Sequence, residues 1–140
     1  MGEGLEVTAT WRGGYRADVR ARGHEVRIDE PAESGGTDEG MMPTELFCAA
    51  LATCFCLALG HVARKREIEL PGLEVTVRSE RAGRELRYAR FVVESSADVP
   101  GEVLAPLVDR ARPFCWVSNT LAAGVDVEYV RPPPGNGRIG

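Results

Sequence analysis

The feature that most constrains the fold is a long apolar segment from Pro43 to Arg66, "PTELFCAALATCFCLALGHVARKR". Proline is favoured at the first position of a helix, and the residues that follow are rich in alanine and leucine, which favour helix. Apolar residues cover nearly every face of this helix until its basic end, and basic residues suit a helix C-terminus. We therefore predict a central helix that is buried in the core.

Short segments of alternating apolar and polar residues predict strands on both sides of this helix. Before it, residues 5–9, residues 15–20 and the stretch "HEVRID" predict three strands, separated by turns at Gly13-Gly14 and Gly23. After it, "LEVTVRSE" and "ELRYARFVVESSAD" lie on either side of Ala82-Gly83 and predict a long antiparallel hairpin. The acidic, glycine-rich stretch "EPAESGGTDEGMMP" before the helix predicts a loop.

The C-terminal third predicts two more helices and one more strand. "VPGEVLAPLVDRAR" has the pattern of an amphipathic helix, "PFCWVSNTLAAG" predicts a short helix that ends at Gly124, and "VDVEYV" predicts a strand. Because the strands come as hairpins rather than as βαβ units, the order β-β-β-α-β-β-α-α-β predicts an α+β fold with antiparallel sheets. We predict a single domain over residues 1–131 and a disordered tail over residues 132–140.

Composition narrows the class of protein. The 140 residues carry a net charge of −4 and a pI of about 5.3, which favours neither nucleic acid nor an anionic membrane as the main partner. We predict no transmembrane helix, since such a helix needs about 18 or more apolar residues without charge, and the N-terminus lacks the pattern of a signal peptide. A cytoplasmic location is therefore expected, where thiols are kept reduced.

The four cysteines allow four interpretations: metal ligands, core residues, a structural disulfide or redox groups. Cys54 and Cys56 are too close in sequence for a zinc pair and would point about 200° apart on a helix, so we predict no metal site. Cys48 and Cys56 would share one side of the helix, facing away from Cys54, and we interpret them as small core residues. For Cys54 alone, core residue and redox group remain comparable alternatives.

Cys115 makes redox chemistry a stronger alternative for Cys54. It lies between "ARPF" and "WVSNTL", at the predicted start of a helix, and a helix N-terminus stabilises a thiolate. A cysteine in a core helix and another at a helix start are a plausible peroxidatic and resolving pair. Sequence spacing does not give their distance in space, so both interpretations stay open at this point.

Two cysteine-containing motifs resemble the OsmC/Ohr family of thiol peroxidases. "GGTDEGMMPTELFCAALATCFCLALGHVARK" resembles the family's central helix, and "ARPFCWVSNTL" resembles its second motif, a cysteine followed by x-Val-Ser-Asn. The upstream stretch "HEVRIDEPAESGG" also fits the OsmC-like branch. The resemblance extends essentially from Val7 to Tyr129 and rests on two motifs in the right order with matching flanks.

The resemblance implies an intertwined α+β homodimer, with two long central helices packed between antiparallel sheets. It implies that Cys54 attacks an organic hydroperoxide or hydrogen peroxide, becomes a sulfenic acid and then forms a disulfide with Cys115. A dithiol or a lipoylated protein would reduce this disulfide, and no metal or bound cofactor would be needed. A resolving thiol close by would protect Cys54 from over-oxidation.

The resemblance also implies an arginine that stabilises the Cys54 thiolate, because the N-terminal dipole of the central helix fades within the first turn. In the family this arginine comes from the N-terminal hairpin and is held by a glutamate near the start of the central helix. Arg12 and Arg16 are the candidates here, with Arg16 slightly favoured, and either could instead be a solvated turn residue. The family's glutamate position is Thr44 in this chain, and the neighbouring Glu45 would point about 180° away from Cys54.

These departures keep two other functions open. Trp116 stands where the family usually has proline, and it could line an apolar pocket or belong to the core. One alternative function is a redox sensor, or a protein that binds an apolar ligand, with poor turnover. The other is a purely structural dimeric module whose cysteines are core residues, in which Cys54 and Cys115 would lie too far apart to bridge.

Overall fold

The protein is described by a computed structural model that covers residues 4–138. The predicted central helix is confirmed as α1, Pro43–Lys65, which begins with proline at its first position. Its first turn is capped by Glu45, because the Glu45 carboxylate accepts a hydrogen bond of 2.8 Å from the Met42 backbone N–H. This interaction satisfies one of the N–H groups that every helix start leaves without a partner.

The N-terminal strands form a three-stranded antiparallel sheet in the order β1-β2-β3, with β1 Thr8–Trp11, β2 Ala17–Ala21 and β3 His24–Ile28. The prediction that β1 begins at Leu5 was wrong by three residues. The register pairs Thr8 with Arg20, and β2 ends one residue later, so the residues before Val7 have no strand to pair with. The loop after β3 contains one 3-10 turn, Ala32–Ser34, before α1 begins.

The predicted hairpin is confirmed as a second antiparallel sheet, made of β4 Glu74–Arg81 and β5 Tyr88–Ser96. The two remaining helices are α2 Gly101–Ala111 and α3 Trp116–Ala123, joined by the 3-10 turn Arg112–Phe114. Together these elements give the predicted α+β architecture with antiparallel sheets around a long helix.

The core lies between one face of α1, the second sheet and the two short helices. Leu59 and Val62 of α1 are fully buried, and they belong to one cluster with Leu107 and Ala111 of α2. The predicted core helix is confirmed on this side of α1, whereas its opposite side is exposed within this single chain. Leu57 is 75% exposed, because the second sheet, α2 and α3 cover only one side of the helix.

The exposed side of α1 is a continuous stripe. It contains Phe47, Ala50, Thr53 and Leu57, at the spacing of one helix face. By length and composition alone α1 could cross a membrane, so the reason given for predicting no transmembrane helix was wrong. Its packing against β4, α2 and α3 is nevertheless that of a core helix in a folded domain.

The predicted last strand, "VDVEYV", is absent from the described part of the chain. Its residues are exposed beyond the end of α3 and pair with no described strand. A strand needs a partner for its backbone N–H and C=O groups, and these residues do not pair with either sheet of their own chain. Residues 132–138 form no helix or strand, and the last two residues of the predicted tail lie outside the described range. Tail disorder and the single-domain boundaries stay predictions.

The first sheet stands apart from the core. Its three strands pack mainly on one another, whereas the packing contacts of α1 go to β4, α2 and α3. Large apolar side chains on and beside the sheet remain exposed, among them Trp11, Tyr15 and Val26. The sheet is linked to α1 through the backbone bridge between Ile28 and Met41.

Candidate functional site

The fold brings Cys54 and Cys115 together. Cys54 lies in the middle of α1, partly buried, and packs against the core cluster that includes Cys115. Cys115 is 0% exposed, and the Cys54 side chain lies close enough to lower the pKa of its thiol. The purely structural alternative required the two cysteines to be too far apart to interact, and this proximity speaks against it.

Cys115 lies at the start of α3, as predicted, in extended backbone conformation with φ −93° and ψ 103°. Burial raises the pKa of its thiol. The hydroxyl and backbone N–H of Ser118, the Cys54 side chain and the Val117 N–H act in the opposite direction, and together they bring the pKa of Cys115 below its ordinary value. The first N–H groups of a helix have no helical acceptor, so they are free to stabilise the thiolate.

The turn before α3 fixes this geometry. Asn119 donates a hydrogen bond of 3.0 Å to the Pro113 carbonyl, and the Ser118 hydroxyl donates to the Cys115 carbonyl at 3.3 Å. The same motif, Cys-x-Val-Ser-Asn, therefore places the thiol and also closes the turn that carries it.

Arg12 and Arg16 lie at the two ends of the hairpin turn between β1 and β2. The Arg12 N–H donates to the Arg16 carbonyl at 2.9 Å. The Arg12 side chain pairs with Asp18 at 2.7 Å, and this hydrogen bond holds the pKa of Asp18 below its usual value. Arg16 pairs instead with Glu39, at 3.3 Å. Within residues 4–138 of one chain both guanidinium groups thus pair with carboxylates and not with a cysteine.

Glu45 is placed away from both arginines. Its carboxylate caps α1, and it lines a groove between α1 and the second sheet together with Cys48 and Tyr88. The side chain therefore acts as an acid in the first turn of α1, where the helix dipole favours a negative charge. The catalytic roles of Cys54, Cys115, Arg12, Arg16 and Glu45 stay predictions.

Sequence reasoning missed Asp29 and Glu39, which lie in the loop between β3 and α1. Asp29 is 0% exposed and accepts hydrogen bonds from the Thr37 hydroxyl at 2.6 Å and from the backbone N–H groups of Glu30 and Glu39 at 2.7 and 3.0 Å. A Cβ at Gly36 would collide with the Glu30 carbonyl, so the glycine allows this tight loop. An acidic residue directly after a predicted strand, followed later in the loop by Gly-Gly, is the sequence signal that could have identified Asp29.

Asp29 is expected to make the fold sensitive to acid. The Thr37 hydrogen bond is the main reason why the pKa of Asp29 falls from 3.8 to about 2, against the opposing effect of burial. Since the folded-state pKa lies below the unfolded one, the stabilisation is complete above about pH 4 and is lost as pH falls through about 2. Asp29→Asn should lower Tm at pH 7 by about 5 °C or more. Thermal unfolding should show that the difference in Tm between the wild type and Asp29→Asn narrows between about pH 4 and pH 2. A Tm difference that stays constant over this range would contradict the stabilising role of the Asp29 carboxylate.

Two cavities lie near the thiols. One, of about 620 Å³, is lined by apolar residues that include Leu51 and Phe55 and by polar residues that include Asp109, Arg112 and Ser118. The other, of about 510 Å³, is lined by Phe114 and Trp116. Trp116 is exposed, so the interpretation of this residue as core is wrong, and it lines an apolar pocket instead. Within the described range, no group of three or more His, Cys, Asp or Glu side chains is arranged to hold a metal ion.

Fold and site together define an α+β protein with two neighbouring thiols, one on the long central helix and the other at the start of a short helix. The chain belongs to the OsmC-like protein family, whose model matches residues 36–130. It is 34% identical over 126 residues to the organic hydroperoxide resistance protein of Xanthomonas axonopodis pv. citri, covering 86% of this chain and 88% of that one.

Solved structures agree with this family. The organic hydroperoxide resistance protein OhrB of Bacillus subtilis has a TM-score of 0.59 at 29% identity, over 84% of this chain and 89% of that chain. An OsmC-like protein from Mycoplasma pneumoniae has a TM-score of 0.75 over 87% of this chain and 89% of that chain. At 16% identity the second likeness shows the fold alone. The family relationship therefore supports a role in hydroperoxide resistance and the oxidative stress response at the level of the family.

Proposed function

We propose that the protein is a thiol-dependent peroxidase that reduces organic hydroperoxides, and hydrogen peroxide as a second substrate. The observation that carries this proposal is the contact between Cys54 and Cys115, two thiols from separate helices. The name of the Xanthomonas relative, an organic hydroperoxide resistance protein, supports the substrate class.

In the proposed reaction, the peroxide is reduced by these two thiols. The Cys54 thiolate attacks one oxygen of the hydroperoxide, the O–O bond breaks, and the alcohol leaves with a proton while Cys54 becomes a sulfenic acid. The Cys115 thiolate then attacks the Cys54 sulfur, an S–S bond forms and water leaves. The lowered pKa of Cys115 supports this second step, because the thiolate is the nucleophile. A dithiol or a lipoylated protein supplies the two electrons that reopen the disulfide.

We propose that the active form is a homodimer in which the first sheet of one chain covers the exposed stripe of α1 on the other. The sheet has exposed aromatic residues and stands apart from its own core. The stripe from Phe47 to Leu57 is exposed within the described chain, although the Phe47 ring also contacts Phe91 of the second sheet. Large exposed apolar patches are typical of interaction surfaces. Cys54 borders this stripe, so the partner's hairpin would bring Arg16 or Arg12 to the thiolate. We expect this dimer to work in the cytoplasm, where reduced thiols prevail.

A redox sensor or an apolar-ligand-binding protein is the second candidate. The position of Glu45, away from both arginines, favours it, as does the apolar cavity beside Ser118. A sensor would form the same disulfide once per molecule but would turn over poorly with a dithiol. Multiple-turnover assays with a dithiol donor distinguish the two candidates.

Oxidation of the reduced protein with cumene hydroperoxide and, separately, with hydrogen peroxide tests the proposal. Intact-mass measurement and peptide mapping are expected to show the loss of two hydrogens, localised to Cys54 and Cys115. In Cys115→Ser the same treatment should leave Cys54 as sulfenic or sulfinic acid, because no resolving thiol remains. If Cys54 stays reduced at millimolar peroxide, the peroxidase proposal is wrong.

A further inference from the structure

Glu39 is the centre of a charge network that joins the first sheet to the loop before α1. Its two carboxylate oxygens face two arginines: Oε2 lies 3.3 Å from Arg16, and Oε1 lies 3.5 Å from Arg27. Arg27 also lies 3.6 Å from Asp18, which holds Arg12. Of the two arginines at the hairpin turn, Arg16 is therefore the one that is tied to the chain segment leading into the central helix.

The backbone of Glu39 is held from the inside of the protein. Its backbone N–H donates to Oδ2 of the buried Asp29 at 3.0 Å, and the Thr37 hydroxyl lies 2.9 Å from its Oε2. The same hydroxyl donates to Asp29 at 2.6 Å. A half-exposed ion pair contributes little by itself when both side chains are free to move. Here one partner is fixed by a buried anchor, so the pair can define where Arg16 points.

A second contact docks the hairpin turn on this loop. A Cβ on Gly35 would lie 3.0 Å from the Tyr15 ring, so the ring of Tyr15, next to Arg16 in sequence, packs directly on the glycine backbone. Gly35 has φ +94°, a conformation that disfavours other residues. The turn is thus held to the loop by an aromatic contact and an ion pair on adjacent residues.

We propose that Glu39, anchored by Asp29, is the positioning residue for Arg16, the role that the family resemblance would give to a glutamate at the start of the central helix. In this chain that helix position is Thr44, and Glu45 caps the helix instead. The inference rests on the proposed function, since Arg16 matters only if Cys54 reacts as a thiolate. Glu39 acts through Arg16 and touches no reacting atom.

The test measures the second-order rate constants of Cys54 with cumene hydroperoxide and with iodoacetamide in the full-length protein, followed by peptide mapping. Glu39→Gln is expected to lower both by about tenfold, because the arginine loses its fixed position. Arg16→Gln should lower them by at least as much, and the double variant should be no slower than Arg16→Gln alone. Glu39→Asp, which keeps the charge, should recover part of the rate. Glu25→Gln removes an exposed pair with Arg20 in the same sheet and should leave the rates unchanged.

Each other outcome has a separate meaning. If Arg16→Gln slows Cys54 but Glu39→Gln does not, or if Glu45→Gln slows it instead, the assignment of Glu39 is wrong. If the losses in the double variant add, Glu39 does not act through Arg16, and the inference is wrong as well. If wild-type Cys54 does not react with hydroperoxide at all, the proposed peroxidase function itself fails. Thermal unfolding of each variant separates lost rate from lost folding.

Discussion

Replacing Cys54 with serine is expected to lower kcat/KM for cumene hydroperoxide by at least about 1000-fold, since a serine hydroxyl is not deprotonated near neutral pH and is a far weaker nucleophile than a thiolate. Cys115 cannot take its place as the first nucleophile, because Cys115 is fully buried. The loss should appear in a coupled assay with a dithiol donor, while the Tm changes little, as serine is close in size to cysteine.

Cys48→Ser and Cys56→Ser are the matched controls for this prediction. Both residues lie on α1 and are partly buried like Cys54, but neither packs against the core cluster that contains Cys115. Each control should keep most of the peroxidase activity. If Cys56→Ser abolished activity and Cys54→Ser did not, the nucleophile would have been assigned to the wrong cysteine of the "Cys-Phe-Cys" sequence.

Leu57→Asp is expected to convert the proposed dimer into a monomer and to lower activity at least about tenfold. Leu57 is 75% exposed in the single chain, so the substitution should not disturb the chain's own core. In the dimer the same side chain would be covered, and a buried carboxylate without a partner is strongly unfavourable. Size-exclusion chromatography with light scattering should report a mass near the chain's 15.2 kDa instead of about twice that value.

Leu86→Asp provides the comparison for the dimer prediction. Leu86 lies in the turn between β4 and β5, is 97% exposed and is not part of the α1 stripe. The same change of charge there should leave both the mass and the activity unaltered. A Leu57→Asp protein that kept the wild-type mass and rate would contradict the proposed interface. If the wild-type protein is monomeric, the proposed homodimer is wrong.

The sequence predicted the elements whose signals are local. Pro43 and the apolar run after it define α1 almost to the residue, because the signals for helix start, composition and basic end agree. The turn at Ala82-Gly83 and the alternation around it define the β4–β5 hairpin in the same way. The sequence could predict the two cysteines of the site, since each cysteine motif includes the helix, or the helix start, on which its cysteine lies.

The remaining features depend on contacts between distant residues. "VDVEYV" has the alternation of a strand, but a strand forms only where another edge accepts its hydrogen bonds, and alternation contains no information about that edge. Leu57 looks like a core residue by composition, and only the packing shows that the chain covers one side of α1. The pairing of Arg16 with Glu39 spans 23 residues and depends on how the loop folds around Asp29.

The burial of Cys115 determines the direction in which the proposed disulfide would be reopened. A reducing thiol cannot approach a fully buried sulfur, so it must attack the sulfur of the more accessible Cys54 and displace Cys115. In thiol–disulfide exchange the thiol of lower pKa is the better leaving group, and the helix start lowers the pKa of Cys115. The departing thiolate therefore returns to the N–H groups that stabilise it, and the mixed disulfide with the reductant forms on Cys54. The geometry that favours formation of the Cys54–Cys115 disulfide thus also directs the reductant to the sulfur of Cys54.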